Sequence, residues 1–584
     1  MSFMASEYTI RIGGAAGQGM QFIGGLLVRG FSDAGFYTFT HQDYMSRIKG
    51  GHNFYQIRIS NHPISSSRNT FDILLALNRE TIEIHAPEIN KSGLILYDSE
   101  IIKHDYSQEE FFHVPFTDII RQLDLDKVMS TSVALGAVLG CAGFESLLGF
   151  ETIISNFIPV TTEGVIASQV KAGQAGLDYI TKALEPSRRL LPIGQPEKDK
   201  DFLFINGNHA IGLGALVSGC KFYSAYPMTP ATSIMLYLIS KAEKYGIIVE
   251  QAEDEISAIN MALGASYGGV RAMTGTSGGG FALMTEGVSL AGITETPIVI
   301  AEVQRPGPAT GLPTRTEQSD LFFVIFGGHG EFPRVVFTPG TPEQALSLTN
   351  KAFHLAEKYQ IPVFIQSDQY LADSQWTLED LDTESLQYED FRLRGSELSN
   401  TDFYQRYSLS ENGVSPLAIP GASKHLVVVD SDEHDQDGHI IEDAHTRNMM
   451  VEKRYHKKLP LINREIAPPI LHGYQKPDIV VTCYGSTFGV TKEAVERLGA
   501  KYKIAMLHFS EVYPFPLRDI FDYVDMLNTA KTTLCVENNV SGQFAQLMRM
   551  ETGFEFDARI NKFDGRPFGL DYLLGEIDGY LRGL

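Results

Sequence analysis

Residues 225–233 read AYPMTPATS, placing two prolines, two threonines and a tyrosine between an apolar run and a helical stretch. Pro227 and Pro230 fix φ and restrict the residues before them, so the hydroxyls of Thr229 and Thr232 are offered with little freedom. A donor pair held in this way suits an anionic group. The same spacing also fits an ordinary helix start, with Pro230 in the first turn and Thr229 as the N-cap. Glu250, Glu253, Asp254 and Glu255 crowd the next helix start, where the macrodipole favours carboxylates. Glu255 differs in context, because Ala258, Ala262, Gly264 and Ala265 follow it and let other backbones approach. A carboxyl in such a tight, poorly solvated contact gains proton affinity and could share a proton with a ligand nitrogen. Helix-end electrostatics is the alternative.

Three further stretches carry weaker signals. GGAAGQG (13–19) is a glycine-rich strand-to-helix turn that departs from G-x-G-x-x-G. Gly13, Gly14, Gly17 and Gly19 would admit a phosphate, and Arg47 and Lys49 lie beside Gly50 and Gly51 on another loop; close packing and a solvated loop are the plain alternatives. DSDEHDQDGH (430–439) does not match the calcium-loop template and reads as a solvated or interdomain loop. CYGSTFG (483–489) could cradle an anion or be a packed turn.

The elements that must position these residues fall into regions. A chain of 584 residues exceeds what one core organises, so three domains are expected. The first (1–185) opens on the strand YTIRIGG and alternates apolar runs with helical segments. Residues 186–200 combine prolines with a charge run and read as a linker. In 201–385, KFYSAY, GIIVEQ, GVRAMTGT and PIVIAEV are strands separated by helices, the signature of a parallel sheet covered on both faces. Residues 386–474 form an inserted connection containing a helix-like EDAHTRNMMVEKRYHKK. The last region (475–584) starts at DIVVTCYGS and repeats strand and helix. The fold class is α/β throughout.

The formal charge of −23 and the lack of a basic run exclude a nucleic-acid groove. The uncharged stretch 128–144 contains Ser, Thr and Gly and falls short of the roughly 20 apolar residues of a membrane span. The N-terminus lacks the pattern of a secretory signal, so a soluble, cytoplasmic protein is expected. Cys141, Cys220, Cys483 and Cys535 are scattered without metal-ligand spacing, which predicts no iron–sulfur cluster and no metal in this chain.

YPMTP, EDEISAINMALGASYGG, TGTSGGGFALMTEG and VQRPGPATGLPTRTEQSDL together resemble the pyrimidine-binding domain of the thiamine-diphosphate-dependent 2-oxoacid:ferredoxin oxidoreductases. HFSEVYPFP and VENNVSGQFAQLMR are similar to the transketolase-C-terminal-like domain of those enzymes. GGAAGQGMQFIGGLL with YMSRIKGGHNFYQIRIS resembles their Rossmann-like gamma domain, here fused ahead of the alpha part. The resemblance implies that Glu255 contacts the aminopyrimidine of thiamine diphosphate and favours the tautomer that takes the C2 proton. It further implies that Tyr226, Pro227, Thr276 and Ser277 line the cofactor and that Thr229 contacts the substrate carboxylate. Arg315 then grips that carboxylate through its guanidinium, supported by Arg305; an intersubunit ion pair is the alternative for both arginines. Gly13, Gly14, Gly17, Gln18, Gly19, Arg47 and Lys49 take a coenzyme A-facing role.

The family's diphosphate is held through a divalent metal by a Gly-Asp-Gly motif, which is absent from this sequence. The resemblance therefore implies a beta-type partner carrying the diphosphate, Mg2+ and [4Fe-4S] sites, a dimer of heterodimers, and ferredoxin as electron acceptor. The expected reaction is oxidative decarboxylation of 2-oxoglutarate with coenzyme A to succinyl-CoA, as in a reductive TCA cycle. A branched-chain or broad-range 2-oxoacid enzyme is the runner-up. A non-redox coenzyme A or nucleotide-binding module, or a non-oxidative thiamine enzyme, is the alternative of another class.

Overall fold

Strand β1 (Glu7–Ala15) starts the fold at the predicted YTIRIGG run and is buried almost end to end. It belongs to a computed structural model that describes residues 7–46, 51–157, 163–190, 202–394, 396–399 and 401–583. Arg47, Lys49 and the linker beyond residue 190 lie outside the described residues. The chain forms two compact units, Met1–Ile205 with Ser374–Leu381 and Gly569–Leu584, and Asn206–Asp373 with Asp382–Phe568.

In the first unit, β1 pairs in parallel with β4 (Phe71–Ala76), which continues to β5 (Ile89–Tyr97) and β6 (Phe111–His113). On its other edge β1 pairs antiparallel with β3 (His52–Ser60), and β3 with β2 (Tyr37–Asp43). Two later segments return to this unit. β14 (Gln375–Leu378) joins β2, and β7 (Leu203–Asn206) closes the eight-stranded sheet. The terminal helix Leu570–Gly583 is fixed by Asp571, which accepts from Arg68 Nη2 at 2.9 Å and from Thr70 Oγ1 at 3.2 Å. Neither return is visible in the sequence, where 374–381 continues the region before it and 569–584 ends the last one.

The second unit holds two large sheets and a short two-stranded one. β8 (Cys220–Ala225), β9 (Ile248–Gln251), β10 (Arg271–Thr276), β11 (Ile298–Gln304), β12 (Val335–Phe337) and β13 (Pro362–Asp368) pair in parallel; β8, β9, β10 and β11 fall on the four predicted runs, β8 and β11 each reaching one residue beyond. Strand order is β20-β12-β13-β11-β10-β8-β9, with β20 (Glu511–Tyr513) supplied antiparallel by the last region. β17 (Ile470–Gly473), β18 (Ile479–Tyr484), β19 (Ile504–Phe509), β21 (Thr532–Glu537) and β22 (Ala558–Asn561) form the other large sheet. Helix Phe488–Leu498 covers it with Val490, Ala494, Val495 and Leu498 buried, the apolar face its spacing predicts.

The connection 386–474 is ordered by charge as well as by packing. It contains the short pair β15 (Arg392–Leu393) and β16 (Leu417–Ala418), and a helix Ala444–Val451 that widens into a π turn over Glu452–Lys457. Lys453 and Lys458 of this stretch both donate to Glu295, just past the end of helix Gly278–Ile293. Burial alone would raise the Glu295 carboxyl, but Lys453, Lys458 and Arg406 hold it well below the usual carboxylate range.

Candidate active site

Helix Glu255–Tyr267 begins at the carboxylate that the sequence singled out. Asp254 is the N-cap and accepts from Ser257 N at 2.8 Å, while Glu253 accepts from Ser257 Oγ at 2.7 Å, so both neighbours serve the helix start. Ser224 Oγ on β8 donates to Ala258 O at 2.6 Å and pins the helix to the sheet. Ala258 and Ala262 are fully buried. Their small side chains let the helix lie close to its neighbours, and Glu255 is drawn inside, only 3% exposed.

One oxygen of the Glu255 carboxyl, the buried Oε1, finds no partner in the surrounding chain. Burial pushes its proton affinity up, Asp254 adds to this, and Arg305 opposes it. Helix Gly278–Ile293 closes in from the other side. A Cβ on Gly280 would lie 2.5 Å from Glu255 Oε1 and 2.1 Å from Thr276 Oγ1, so any larger residue there would push both side chains aside.

The 225–233 turn faces the same place. The following helix starts at Thr232 with Ala231 as its cap and no side-chain bond, so Thr229 is not an N-cap and Pro230 is not a first-turn proline. Instead Asn208 Nδ2 donates to Pro230 O at 2.9 Å and Arg305 Nη1 donates to Thr229 O at 2.6 Å. Met228 Sδ lies 3.8 Å from Thr276 Oγ1. Ser277 is fully buried with an unpartnered Oγ, Pro227 is partly buried, and Tyr226 is exposed. Thr229, Glu255, Thr276 and Arg305 are thus brought together.

Arg315 sits further along the loop that starts at Arg305. Its backbone N donates to Leu312 O at 3.1 Å, and its side chain is 9% exposed with its stem beside Gly565. The loop is held at several points. Thr316 Oγ1 donates to Asp368 at 3.3 Å, Gln318 N donates to Asn538 O at 2.7 Å, and Asp320 N donates to Gln304 Oε1 at 2.9 Å. Asp368 also accepts from Ser486 Oγ. CYGSTFG is therefore a packed turn whose serine braces this loop.

In the first unit the glycine-rich turn divides. A Cβ on Gly13 would meet Thr81 at 2.5 Å, and one on Gly14 would meet Gln18 Oε1 at 2.8 Å, so these two serve packing. Gln18 Oε1 accepts from Ala15 N at 2.6 Å and Nε2 donates to Leu77 O at 3.1 Å, which engages its amide inside the turn. Gly17 and Gly19, with φ of 90° and 83°, line a cleft of about 480 Å3 together with Tyr44 and Phe54.

DSDEHDQDGH forms a hairpin in which Glu433 pairs with Arg447 and Arg454 and Asp435 caps the backbone of Asp437 and His439. Among the described residues no cluster of His, Cys, Asp or Glu could hold a metal ion, and no helix is long and apolar enough to cross a membrane. All four cysteines are free and buried.

Comparison with known proteins decides the family. Residues 213–453 match the pyruvate flavodoxin/ferredoxin oxidoreductase thiamine-diphosphate-binding family, and residues 9–179 match the pyruvate ferredoxin/flavodoxin oxidoreductase family. A 2-oxoacid:ferredoxin oxidoreductase subunit alpha from Sulfolobus sp is 31% identical, covering 96% of this chain and 95% of that protein. The chain belongs to this family of alpha subunits. A 2-oxoglutarate synthase subunit KorA from Methanothermobacter marburgensis is 30% identical over 64% of this chain and 98% of its own length. The 2-oxoglutarate:ferredoxin oxidoreductase from Magnetococcus marinus, solved with 2-oxoglutarate, coenzyme A and succinyl-CoA, superposes with a TM-score of 0.90 at 31% identity, covering 98% of this chain and 99% of that one. Within this oxidoreductase subunit, sequence reasoning missed Gly280, Met228, Asp320 and Asp368. Of these only Gly280 left a signal, the SGGG run at a helix start.

Proposed function

We propose that Glu255 is the carboxyl that meets the aminopyrimidine of thiamine diphosphate, and that this chain forms the pyrimidine half of a 2-oxoglutarate:ferredoxin oxidoreductase. The buried, unpartnered Oε1 of Glu255 carries this reading. A polar atom left unpaired costs about 1–3 kcal/mol, and a ring nitrogen with a proton to share would offset that loss. Gly280 lets the Glu255 carboxyl and the Thr276 hydroxyl close on the helix start, and Thr276, Ser277, Pro227 and Tyr226 would line the bound ring.

Bound thiamine diphosphate supplies the carbon nucleophile and electron sink for decarboxylation. Glu255 holds the proton shared with the ring. Thr229 hydrogen-bonds the substrate carboxylate, Arg315 binds it by charge, and Arg305 fixes the turn through the Thr229 carbonyl. In the overall reaction a 2-oxoacid and coenzyme A give acyl-CoA, CO2, one proton and two electrons, which leave singly to ferredoxin. Gly17 and Gly19 of the first unit face coenzyme A across their cleft.

The other half of the site belongs to a beta-type partner with Gly-Asp-Gly, Mg2+ and [4Fe-4S] sites, in a dimer of heterodimers. The helix that buries Glu255 supports this, since its opposite face exposes Ile256, Met261 and Tyr267. 2-Oxoglutarate is favoured by the bound substrate of the Magnetococcus marinus enzyme and by the KorA relatives. The broader name of the Sulfolobus relative favours a wider 2-oxoacid range as the second reading. Steady-state rates of the two-subunit complex on 2-oxoglutarate, pyruvate and 2-oxoisovalerate decide between them: kcat/KM is expected to be highest for 2-oxoglutarate, and preference for either of the others rejects it.

A further inference from the structure

Glu302 of β11 is an acid fully buried in the middle of a parallel sheet. In register it lies between Thr276 of β10 and Gln366 of β13. Its Oε2 accepts from Gln366 Nε2 at 3.2 Å, while its Oε1 is buried with no donor in reach. At the end of the Arg305 loop, Asp320 N donates to Gln304 Oε1 on the same strand at 2.9 Å, and the Asp320 carboxyl lies close enough to raise the proton affinity of Glu302.

Asp320 is also pressed against the helix that closes the site. Its Oδ2 would lie 2.3 Å from a Cβ on Gly278, while Glu255 Oε1 would lie 2.5 Å from one on Gly280. Three successive glycines thus admit two carboxyls to one helix start, where the dipole favours negative charge. Two carboxyls can hydrogen-bond only if one of them keeps a proton. The other groups acting on Glu302 are Asp368, which is acidic, and Gln366, which is neutral; Glu317 adds negative charge near Asp320. Of that set only the Gln366 amide, which donates to Glu302, favours the charged form, and the surrounding acids disfavour a second negative charge.

We propose that Glu302 is a neutral carboxylic acid that donates its proton to the Asp320 carboxylate, and that this pair is a positioning device holding the glycine turn against which Glu255 closes. Burial and the neighbouring acids push Glu302 well above the usual carboxyl range, while Asp320 is raised by burial to about 6. Around neutral pH the pair therefore keeps one proton and one charge. When the chain unfolds, Glu302 titrates near its ordinary value of about 4. The folded state binds the extra proton across that window, so stability falls as pH rises from about 4 through the folded value of Glu302.

The functional consequence rests on the reading of Glu255 given above. The test uses Glu302→Gln and Asp320→Asn in the complete complex with its partner. At about neutral pH the wild type is expected to show an infrared band of a protonated carboxyl that Glu302→Gln lacks. Glu302→Gln, whose amide can still donate to Asp320, should fold, keep at least about half of kcat, and show a smaller fall in unfolding midpoint across that pH window, where Asp320 and Glu317 still titrate. Asp320→Asn removes the charge at the turn and should lower kcat about tenfold with little change in KM, since Thr229 and Arg315 are untouched. An unchanged infrared band and unchanged pH dependence in Glu302→Gln overturn the proposal. So does an unchanged kcat in Asp320→Asn, which also decides the matter should Glu302→Gln fail to fold. The band and the midpoint are read without turnover; failure of the Glu255 assignment shows separately, as normal turnover in Glu255→Gln.

Discussion

Glu255 combines a buried, unpartnered Oε1 with a proton affinity raised first by burial and then by Asp254. Glu255→Gln keeps the size of the side chain and removes the acidic proton. Its rate of ferredoxin reduction is expected to fall by at least about 10²-fold, with an unchanged circular dichroism spectrum. Arg315→Ala is expected to raise the KM for the 2-oxoacid about tenfold or more, with a smaller effect on kcat, because a charge-assisted contact is lost; initial rates over a range of substrate concentrations separate the two. Motif and context mark Glu255, Thr229 and Arg305 in the sequence, and the structure brings the three together. Glu302 is not so marked: in PIVIAEV it reads as one polar residue in an apolar strand, and only the register shows which side chains flank it.

At the scale of elements, the helices were readable from their apolar spacing, while their exact approach was not. Gly280 illustrates the difference. Helix propensity favours alanine over glycine by about 1 kcal/mol, yet a Cβ there would press on Thr276 and Glu255. Gly280→Ala is therefore expected to unfold at nearly the wild-type midpoint while losing at least about tenfold in kcat; a stable, fully active variant would remove the close contact from the mechanism. The connection 386–474 looked polar and irregular because its anchoring is ionic rather than periodic. Glu295→Ala leaves Lys453 and Lys458 buried without their carboxylate, a loss of roughly 3–5 kcal/mol. It should lower the denaturation midpoint measured by urea titration, and an unchanged midpoint would mean that the ion triad contributes little.

For the whole molecule, the α/β class followed from alternating strand and helix runs and the family from the resemblance of its ordered motifs, but the assignment of chain segments to units did not. Residues 374–381 and 569–584 return to the first unit through pairings and ion pairs between residues distant in sequence, such as Arg68 with Asp571. The proposed division of labour has a consequence for the isolated chain. Without Gly-Asp-Gly it should turn over no 2-oxoacid, and activity should appear on addition of the beta-type partner. The most direct measurement is a density map of that two-subunit complex with thiamine diphosphate bound. Glu255 Oε1 is expected within hydrogen-bond reach, about 2.6–3.2 Å, of a ring nitrogen of the aminopyrimidine. A carboxyl turned to solvent, with the ring bound elsewhere, would contradict it.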